Sequence, residues 1–301
     1  MDRAQTKWFP EEDRQRVSVD GKNDKKIIFE RFEPLKRDKK KKPISLSFAV
    51  VNPKSGEKRS AFEFYEMSSF PHGIALIINN EEFSRQADRE GTGIDEKNLI
   101  QTFRYLGYIV EVHRDRSASQ MKDIIDEVST RRDHSKYDSF ICCILSHGKE
   151  GKIYGSDSDV VDMNDLVKKL NGESCKLLGN KPKMFFVQAC RGKGRDTGTR
   201  VASDSDEPRI EEDSDPISIP DETDFYFGYA TPPGKVAWRD LDHGSWYVSE
   251  LCRALCSHAT YADLHHMVQE VHDKVGTDYK NEGYKQAPEA TTRLRKDIYF
   301  F

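Results

Sequence analysis

The sequence predicts an α/β fold, a single domain in which a mostly parallel sheet of roughly six strands carries helices on both faces. From residue 70 onward, short apolar runs alternate with segments whose apolar residues recur at helical spacing, which is the order expected of such a sheet. Two of the apolar runs end in reactive residues, His147 and Cys190. Because an open α/β sheet presents its chemistry at the carboxyl ends of its strands, we expect these two side chains to share one crevice.

Six apolar runs are the predicted strands. They cover residues 74–78, 108–110, 140–145, 184–187, 225–227 and 298–300. Continuous apolar runs of this kind are typical of strands that are buried on both faces of a sheet. The run at 298–300 is predicted to be the last strand.

The predicted helices lie between these runs, and each has apolar residues three or four positions apart. This spacing places the apolar side chains on one face of a helix. The stripes are Leu99, Phe103 and Leu106; Met121, Ile124, Ile125 and Val128; Leu166 and Leu170; Tyr247, Leu251 and Leu255; and Leu264, Met267, Val268, Val271 and Val275. We interpret them as surfaces that face the core.

The charges of the chain are segregated, although the net charge is only -4. Residues 21–60 carry 13 Lys and Arg against 5 Asp and Glu, whereas residues 201–224 carry 10 acidic residues against one Arg. At 301 residues the chain is long enough for two domains, but no Pro- or Gly-rich linker separates two cores. One large domain with a poorly ordered basic arm is therefore the preferred organisation.

Membrane-spanning and secreted classes are disfavoured by composition. No apolar stretch approaches the roughly 20 residues that cross a bilayer, and the first 20 residues, which include Asp2, Glu11, Glu12 and Asp13, lack a secretory segment. Six cysteines in 301 residues are too few for a disulfide-dense scaffold, and Cys142 and Cys143 lie inside an apolar run. We expect a soluble, intracellular protein with reduced thiols, in which Cys175, Cys252 and Cys256 are structural.

The pairing of Cys190 with His147 indicates nucleophilic catalysis. A nearby imidazole can favour the reactive thiolate of a cysteine and later protonate a departing amine. An arbitrary cysteine and histidine would more often be a small buried hydrophobe and a satisfied turn residue. Here both residues follow predicted neighbouring strands, so the catalytic interpretation is preferred, and a cysteine peptidase is the predicted activity.

At this point the chain resembles the caspases over about residues 72–301. QACRG at residues 188–192 is the nucleophile motif of that family, and His147 lies 43 positions upstream, near the usual spacing of about 50. Further matches are INN at 78–80, REGT at 89–92, SHG at 146–148, WRD at 238–240, GSWY at 244–247 and IYF at 298–300. So many ordered matches exclude accident.

The resemblance implies a role for each catalytic residue. Cys190 would attack the scissile carbonyl, His147 would transfer the protons, and the backbone amides of Gly148 and Cys190 would stabilise the oxyanion. Glycine at 148 suits this role, because a donor aimed at developing charge needs backbone access. By position, the backbone carbonyl that completes the catalytic group in this family would come from Ala87.

The resemblance also implies a pocket for aspartate, formed by Arg89, Gln188 and Arg239. Two guanidinium groups can bind one carboxylate with charge-assisted hydrogen bonds, and a glutamine can add another. Taken singly, each arginine would more often be a solvated surface charge. Together with the nucleophile motif they indicate cleavage after Asp, and they argue against metacaspases, which cleave after basic residues.

Specificity beyond that aspartate depends on residues that line the expected groove. Trp238 and Trp246 match its aromatic walls, and Val236 stands where effector caspases usually carry an aromatic residue, so bulkier second residues should fit. Asp240 replaces an asparagine and resembles some initiator caspases, so it should disfavour an acidic fourth residue. The segment 276–285 is shorter than in typical effector caspases. We expect a relaxed fourth position.

The acidic segment after Cys190 is predicted to be a processing linker. Cleavage is expected after Asp213, with Asp204 and Asp206 as alternatives, because an acidic segment without a core is accessible to proteases. A cut after Asp20 would remove a short propeptide. The resemblance thus implies a zymogen with a propeptide at 1–20, a basic arm at 21–70, a large subunit at 71–213 with its linker from about 194, and a small subunit at 214–301.

The basic arm leaves several interpretations open. Lys39, Lys40, Lys41 and Lys42 suit a nuclear-import signal, a site for acidic substrates, a nucleic-acid patch or a solvated tether. Residues 44–50 alternate like a strand that could pair at a sheet edge. The arm is too short for a six-helix recruitment domain, so activation by an upstream protease is expected.

The sequence therefore predicts a caspase-like, aspartate-directed cysteine endopeptidase that acts in apoptosis. By resemblance it would be a homodimer joined through its last strand, here residues 297–301, whose aromatic residues would otherwise be exposed. No metal or organic cofactor is implied. We expect a cytoplasmic protein that also reaches the nucleus. The alternative is a catalytically silent caspase-like module that binds partners through its basic arm.

Overall fold

A computed structural model of the chain describes residues 63–194, 223–279 and 284–301, together with the backbone of three short strands before residue 61. The strands are β1 (Lys26–Phe29), β2 (Ala49–Val51), β3 (Lys58–Ser60), β4 (Gly73–Asn79), β5 (Ile109–Arg114), β6 (Ser139–Leu145), β7 (Gly148–Lys149), β8 (Lys152–Tyr154), β9 (Val160–Asp162), β10 (Lys183–Gln188), β11 (Phe225–Tyr229), β12 (Arg239–Asp240), β13 (Gly244–Ser245) and β14 (Glu289–Thr292). The α-helices are α1 (Thr92–Tyr105), α2 (Ala118–Arg131), α3 (Met163–Lys168), α4 (Trp246–His258) and α5 (Leu264–Thr277).

The central sheet has the strand order β1-β5-β4-β6-β10-β11-β14. The five inner strands are parallel to one another, and β1 and β14 are antiparallel edge strands. The predicted mostly parallel α/β sheet is thus confirmed. Six of its strands lie between residues 73 and 292, and the arm contributes β1 as a seventh.

Helices cover both faces of the sheet, and four of the five inner strands alternate between two apolar clusters. The fifth, β5, alternates Val110 and Val112 with the buried polar residues Glu111 and His113. Cys143, for example, belongs to the cluster under α1, α4 and α5, whereas Cys142 belongs to the cluster under α2 and α3. Burial on both sides explains why the inner strands read as continuous apolar runs rather than alternating ones. The predicted helical stripes face these two clusters, as their spacing requires.

The prediction of a strand at residues 298–300 is wrong. The last strand of the sheet is β14, a polar edge strand whose half-buried and exposed residues alternate, so it lacks the apolar signal of the inner strands. Ile298 and Phe300 are apolar because they pack into the core, and the ring of Phe300 lies 6.3 Å from that of Tyr108. A short apolar run does not distinguish a strand from a buried terminal segment.

The expected dimer-forming strand at 297–301 needs the same correction. Asp297 makes only an isolated bridge with Phe64, and the aromatic end is mostly covered within the chain, since Tyr299 and Phe300 are both buried. On this side of the molecule the edge of the central sheet is β14.

The arm supplies the opposite edge of the sheet with a different segment from the predicted one. Residues 44–48 lie outside the described residues, and β2, at the end of the predicted run, pairs with β3 in a separate two-stranded sheet. The edge next to β5 is occupied by β1, which pairs Lys26 with His113. A strand just after the predicted cut at Asp20 thus joins the central sheet.

Two composition-based expectations concern the cysteines and the membrane. All six cysteines carry free thiols, and four of them are buried. In the part of the chain that the structure describes, the helices are too short or too polar to cross a bilayer.

Candidate active site

The two predicted catalytic residues lie side by side because their strands are paired in register. β6 and β10 are parallel neighbours, and Leu145 is the partner of Gln188. His147 and Cys190 each stand two residues beyond this pair, at the same edge of the sheet. The backbone amide of Ser146 donates a hydrogen bond to the Gln188 carbonyl at 3.2 Å, which keeps the two segments together beyond the last paired residues of β6 and β10.

Gly148 brings the two segments closer than any other residue could. A Cβ atom at this position would lie 2.7 Å from the carbonyl oxygen of Cys190 and 3.0 Å from Cβ of Ala189. Such an approach is possible only for a residue without a side chain. The structure therefore requires glycine at 148 for a close backbone contact, and the role of its amide at an oxyanion stays a prediction.

His147 is oriented by the backbone of Ala87. The Nε2 atom of His147 lies 2.7 Å from the Ala87 carbonyl oxygen. A carbonyl can only accept, so Nε2 carries a proton, and Nδ1 is the basic atom of the neutral ring. Burial lowers the pKa of His147, the hydrogen bond to Ala87 partly opposes this, and the charges of Arg89 and Arg239 lower it further. The imidazole is therefore neutral near pH 7, as a general base must be.

The Cys190 thiol is half-buried in the same crevice. Its Sγ atom lies 4.0 Å from the Ala237 carbonyl oxygen, and a thiolate there would interact with the charges of Arg89 and Arg239. The backbone amide of Cys190 donates no hydrogen bond to any residue that the structure describes. That donor is available to a developing oxyanion.

Arg89 is a buried cation at the carboxyl end of β4. Its side chain is 2% exposed, and one terminal nitrogen donates to the Asn80 carbonyl and to Oγ1 of Thr92, each at 3.0 Å. Burial and the like charge of Arg239 lower the pKa of Arg89 to about 9, so its guanidinium group remains protonated at neutral pH. Guanidinium groups placed this way can bind an anion.

Arg239 and Gln188 complete the predicted arginine pocket, which we define as Arg89, Gln188 and Arg239. Arg239 is half-buried, and its Nε atom donates to the Glu90 carbonyl at 2.8 Å, next in sequence to Arg89. Gln188 is 2% exposed, and among the described residues its Oε1 atom has no hydrogen-bond partner. Arg89 and Arg239 interact electrostatically with both His147 and Cys190, and Gln188 precedes Cys190 by two residues.

The two predicted tryptophans belong to an aromatic stack of four rings. Tyr279 packs on Trp246 with centroids 5.2 Å apart, Trp246 on Trp238 at 6.2 Å, and Trp238 on Tyr284 at 4.6 Å. The two tyrosines were not predicted from the sequence. They flank residues 280–283, which lie outside the described residues, and only the aromatic composition of segment 276–285 could have drawn attention to them.

Gln286 is a second residue that the sequence did not reveal. It is buried, its Oε1 atom accepts a hydrogen bond from the Trp238 amide at 2.7 Å, and its Nε2 atom donates to the Ala230 carbonyl at 2.8 Å. These bonds fix the backbone of the segment that carries Trp238. Nothing in the local sequence signals a contact over 48 positions.

Val236 and Asp240 lie on either side of Trp238 and have different surroundings. Val236 is half-buried, and its amide donates to the Gly194 carbonyl at 3.0 Å. Oδ1 of Asp240 accepts hydrogen bonds from the Asp242 amide and from the amide and Nδ1 of His243, all within 2.9 Å, and these bonds lower the pKa of Asp240. Asp240 therefore closes a tight turn while keeping its charge, and its effect on the fourth substrate residue stays a prediction.

The other predicted site residues fall outside the described part of the chain. They are the expected cleavage positions Asp20, Asp204, Asp206 and Asp213 and the basic cluster Lys39, Lys40, Lys41 and Lys42.

The chain is similar in sequence to a known protein family and to several of its members. The family model described as "Caspase domain" matches residues 72–299. Caspase-3 of Bos taurus is 37% identical over 248 residues, which cover 79% of this chain and 88% of the relative. Caspase-3 of Felis catus is 38% identical, and that of Mus musculus 36%, each over 247 residues that cover 79% of this chain and 87% of the relative.

Proposed function

The chain belongs to the caspase family, and from this premise we propose that it is a cysteine endopeptidase that cleaves proteins after aspartate, with Cys190 as nucleophile and His147 as general acid and base. One observation carries the proposal. The register of β6 and β10 delivers a thiol and a neutral imidazole to the same crevice as two buried or half-buried guanidinium groups.

The tautomer of His147 supports a definite sequence of proton transfers. Nδ1 accepts the Cys190 proton, and Sγ attacks the scissile carbonyl carbon to form a tetrahedral intermediate. The amides of Cys190 and Gly148 donate to its oxyanion. The imidazolium then protonates the leaving amine as the C–N bond breaks, which leaves a thioester. Water, deprotonated by His147, attacks the thioester and releases the new carboxyl terminus and the free thiol.

The arginine pocket explains why the residue before the cut should be aspartate. A substrate carboxylate would compensate the two like charges of Arg89 and Arg239, and the Gln188 side chain would supply a further hydrogen bond. A lysine or arginine in that position would add a third cation to a desolvated site, which is unfavourable. Beyond it, the aromatic stack and Val236 suit apolar second residues, and Asp240 disfavours an acidic fourth residue.

Maturation by cleavage after Asp213 and Asp20 is the second part of the proposal. The segments on either side of the linker are hydrogen-bonded to each other, since the Arg191 amide donates to the Lys235 carbonyl and the Gly234 amide to the Arg191 carbonyl. A cut within the linker would therefore leave large and small subunits that stay together. We propose that an upstream protease makes the first cut and that the product is a homodimer.

The biological role that fits these properties is execution of apoptosis in the cytoplasm. The similarity to three caspase-3 proteins and the matching caspase domain support the apoptotic role, and the cytoplasmic location stays a prediction. The basic cluster Lys39 to Lys42 would add access to the nucleus or to acidic partners.

The test is cleavage of a tetrapeptide library that varies the last and fourth residues, with Cys190→Ala as the control variant. We expect cleavage only after Asp, loss of cleavage in the control and a poor yield with acidic fourth residues. Equal inertness of both proteins, even after the linker has been cut at Asp213, would refute the proposal and favour a non-catalytic binding module.

A further inference from the structure

Asp95 is a buried carboxylate directly behind the arginine pocket, and the chemistry described above gives it no role. It lies in the first turn of α1 and is fully buried. Its Oδ1 atom accepts a hydrogen bond from the Ser245 amide at 2.7 Å, and its Oδ2 atom accepts one from the Ser245 hydroxyl. Both oxygens accept, as those of an ionised carboxylate do.

These hydrogen bonds attach α1 to the short hairpin that carries Arg239. In the β12–β13 pair, Ser245 is the direct partner of Arg239. The neighbouring Gly244 has a φ of 83°, and a Cβ atom there would lie 2.5 Å from Oδ1 of Asp95. The hairpin is thus built with a glycine where the carboxylate approaches, and the position of Arg239 depends on the Asp95 contact.

Asp95 also supplies negative charge where two cations lie close together. Among the groups that favour the charged forms of Arg89 and Arg239, its carboxylate has the largest effect on both. Burial raises the pKa of Asp95, but the Ser245 hydrogen bonds and the two guanidinium groups oppose this rise. Such compensation matters because a desolvated pair of like charges is otherwise driven apart.

We propose that Asp95 is a positioning residue of the arginine pocket. It holds the β12–β13 hairpin against α1, and its charge keeps Arg89 and Arg239 in place until a substrate carboxylate enters. The inference rests on the proposed function in one respect, namely that the pocket binds the aspartate before the cut.

The proposal separates substrate binding from the chemical step. Without the charge of Asp95, the half-buried Arg239 moves away from the buried Arg89, and an incoming substrate has to restore the pocket. The free energy needed to bring Arg239 back beside Arg89 reduces the net binding free energy of the substrate. KM therefore rises. Cys190 and His147 are held by β6, β10 and Ala87, whereas the hydrogen bonds of Asp95 go to Ser245, so kcat is expected to change little.

Three variants of the processed full-length protein test this. Asp95→Asn removes the charge, but its amide side chain can still bond Ser245. Ser245→Ala removes the hydroxyl bond and leaves the charge. Glu111→Gln is the matched control, because Glu111 is a buried carboxylate on β5, next to the edge strand β1, and is hydrogen-bonded to His113 at 2.7 Å and to Arg132 at 2.8 Å.

The measurements are kcat and KM on an Asp-ending peptide, the rate at which iodoacetamide alkylates Cys190, and hydrogen exchange of residues 239–245. For Asp95→Asn we expect KM to rise about tenfold, with kcat and alkylation within about twofold of wild type. Ser245→Ala should speed exchange in the hairpin several-fold. Glu111→Gln should lower the melting temperature and leave KM unchanged.

The proposal would be overturned if KM were unchanged in Asp95→Asn or if KM rose equally in Glu111→Gln. It would also be overturned if the alkylation rate of Asp95→Asn fell in parallel with its cleavage rate. Normal hairpin exchange in Ser245→Ala would overturn it as well. If wild type is alkylated at Cys190 but cleaves no Asp-ending peptide, the proposed function fails instead, and hairpin exchange then decides whether Asp95 holds the hairpin.

Discussion

At the amino ends of β10 and β11, the buried carboxylate of Asp224 is matched by surrounding donors, whereas at the carboxyl ends of the same sheet the buried guanidinium of Arg89 faces a second cation. Asp224 accepts from the Tyr65 hydroxyl at 2.6 Å and from Arg295 at 2.9 and 2.7 Å. We call Tyr65, Asp224 and Arg295 the Asp224 cluster. In the arginine pocket, by contrast, two like charges lie together and Gln188 keeps an acceptor without a partner among the described residues.

This difference in charge compensation indicates that the two ends of the sheet have different roles. A fully compensated buried charge restrains the segments that it joins, and the Asp224 cluster joins the start of β11 to residues 65 and 295. An under-compensated site is poised to bind a ligand of opposite charge, at some cost to stability. Removal of a charge should therefore lower activity in the arginine pocket and lower stability in the Asp224 cluster.

The largest effect is expected from Arg89→Gln. Loss of one of two guanidinium groups that bind the substrate carboxylate should lower kcat/KM for Asp-ending peptides by roughly 10²- to 10³-fold. The free energy of unfolding should not fall by more than about 1 kcal/mol, because the change also removes repulsion from Arg239. Peptide cleavage and urea denaturation measure the two quantities.

Arg85→Gln is the control for that variant. Arg85 lies four positions earlier, is paired with Asp159 at the surface, and has a side chain that is 65% exposed. Both activity and stability should stay at wild-type values. A drop in stability of Arg89→Gln comparable to its loss of binding free energy would contradict the distinction between the two ends.

Asp224→Asn should give the opposite pattern. The substitution removes the negative charge that Arg295 and Tyr65 bind and leaves one acceptor oxygen in place of two. Because the Arg295 side chain is 46% exposed, water screens part of the loss. We expect the free energy of unfolding to fall by about 2 kcal/mol, with kcat/KM within about twofold of wild type. Reduced cleavage at unchanged stability would show that the Asp224 cluster serves the active site.

Tyr65→Phe is a finer change in the same cluster. It removes the hydroxyl that donates to Asp224 and accepts from the Arg295 amide at 3.0 Å, while the ring and its packing remain. The ion pair with Arg295 is retained, so the loss should be about 1 kcal/mol, less than for Asp224→Asn. Denaturation of the double variant would show coupling between the two residues if its loss is less than the sum.

The two ends also differ in how far the sequence could predict them. Cys190, His147, Arg89, Gln188 and Arg239 could be located because they belong to local motifs at strand ends, and the parallel register then brings the first two together. The inner strands could be located because burial on both faces leaves continuous apolar runs.

What the sequence did not reveal depends on contacts between distant segments. Asp95 and Ser245 are 150 positions apart, and Gln286 reaches back 48 positions to Trp238. β14 was overlooked because a polar edge strand carries no apolar run, and the Asp224 cluster joins residues separated by 159 positions. Local periodicity contains no information about such pairs.

The smallest expected effect is a difference in pH dependence between the two ends. Burial lowers the pKa of His147, so its neutral form persists below the ordinary value of about 6.5, and the acid limb of kcat/KM should lie below that pH.

At Asp224, burial alone would raise the carboxyl pKa, but hydrogen bonds from Arg295 and Tyr65 outweigh it and hold the pKa below its usual value. A carboxyl with a lowered folded-state pKa contributes stability above its unfolded value of about 3.9 and loses it as the pH falls through the folded value. The stability difference between wild type and Asp224→Asn should therefore stay constant from about pH 7 to 5, while kcat/KM begins its decline only below about pH 6.5. Rate profiles and urea denaturation across the interval measure both, and an acid limb above pH 6.5 or a stability difference that shrinks before pH 5 would contradict the assignment.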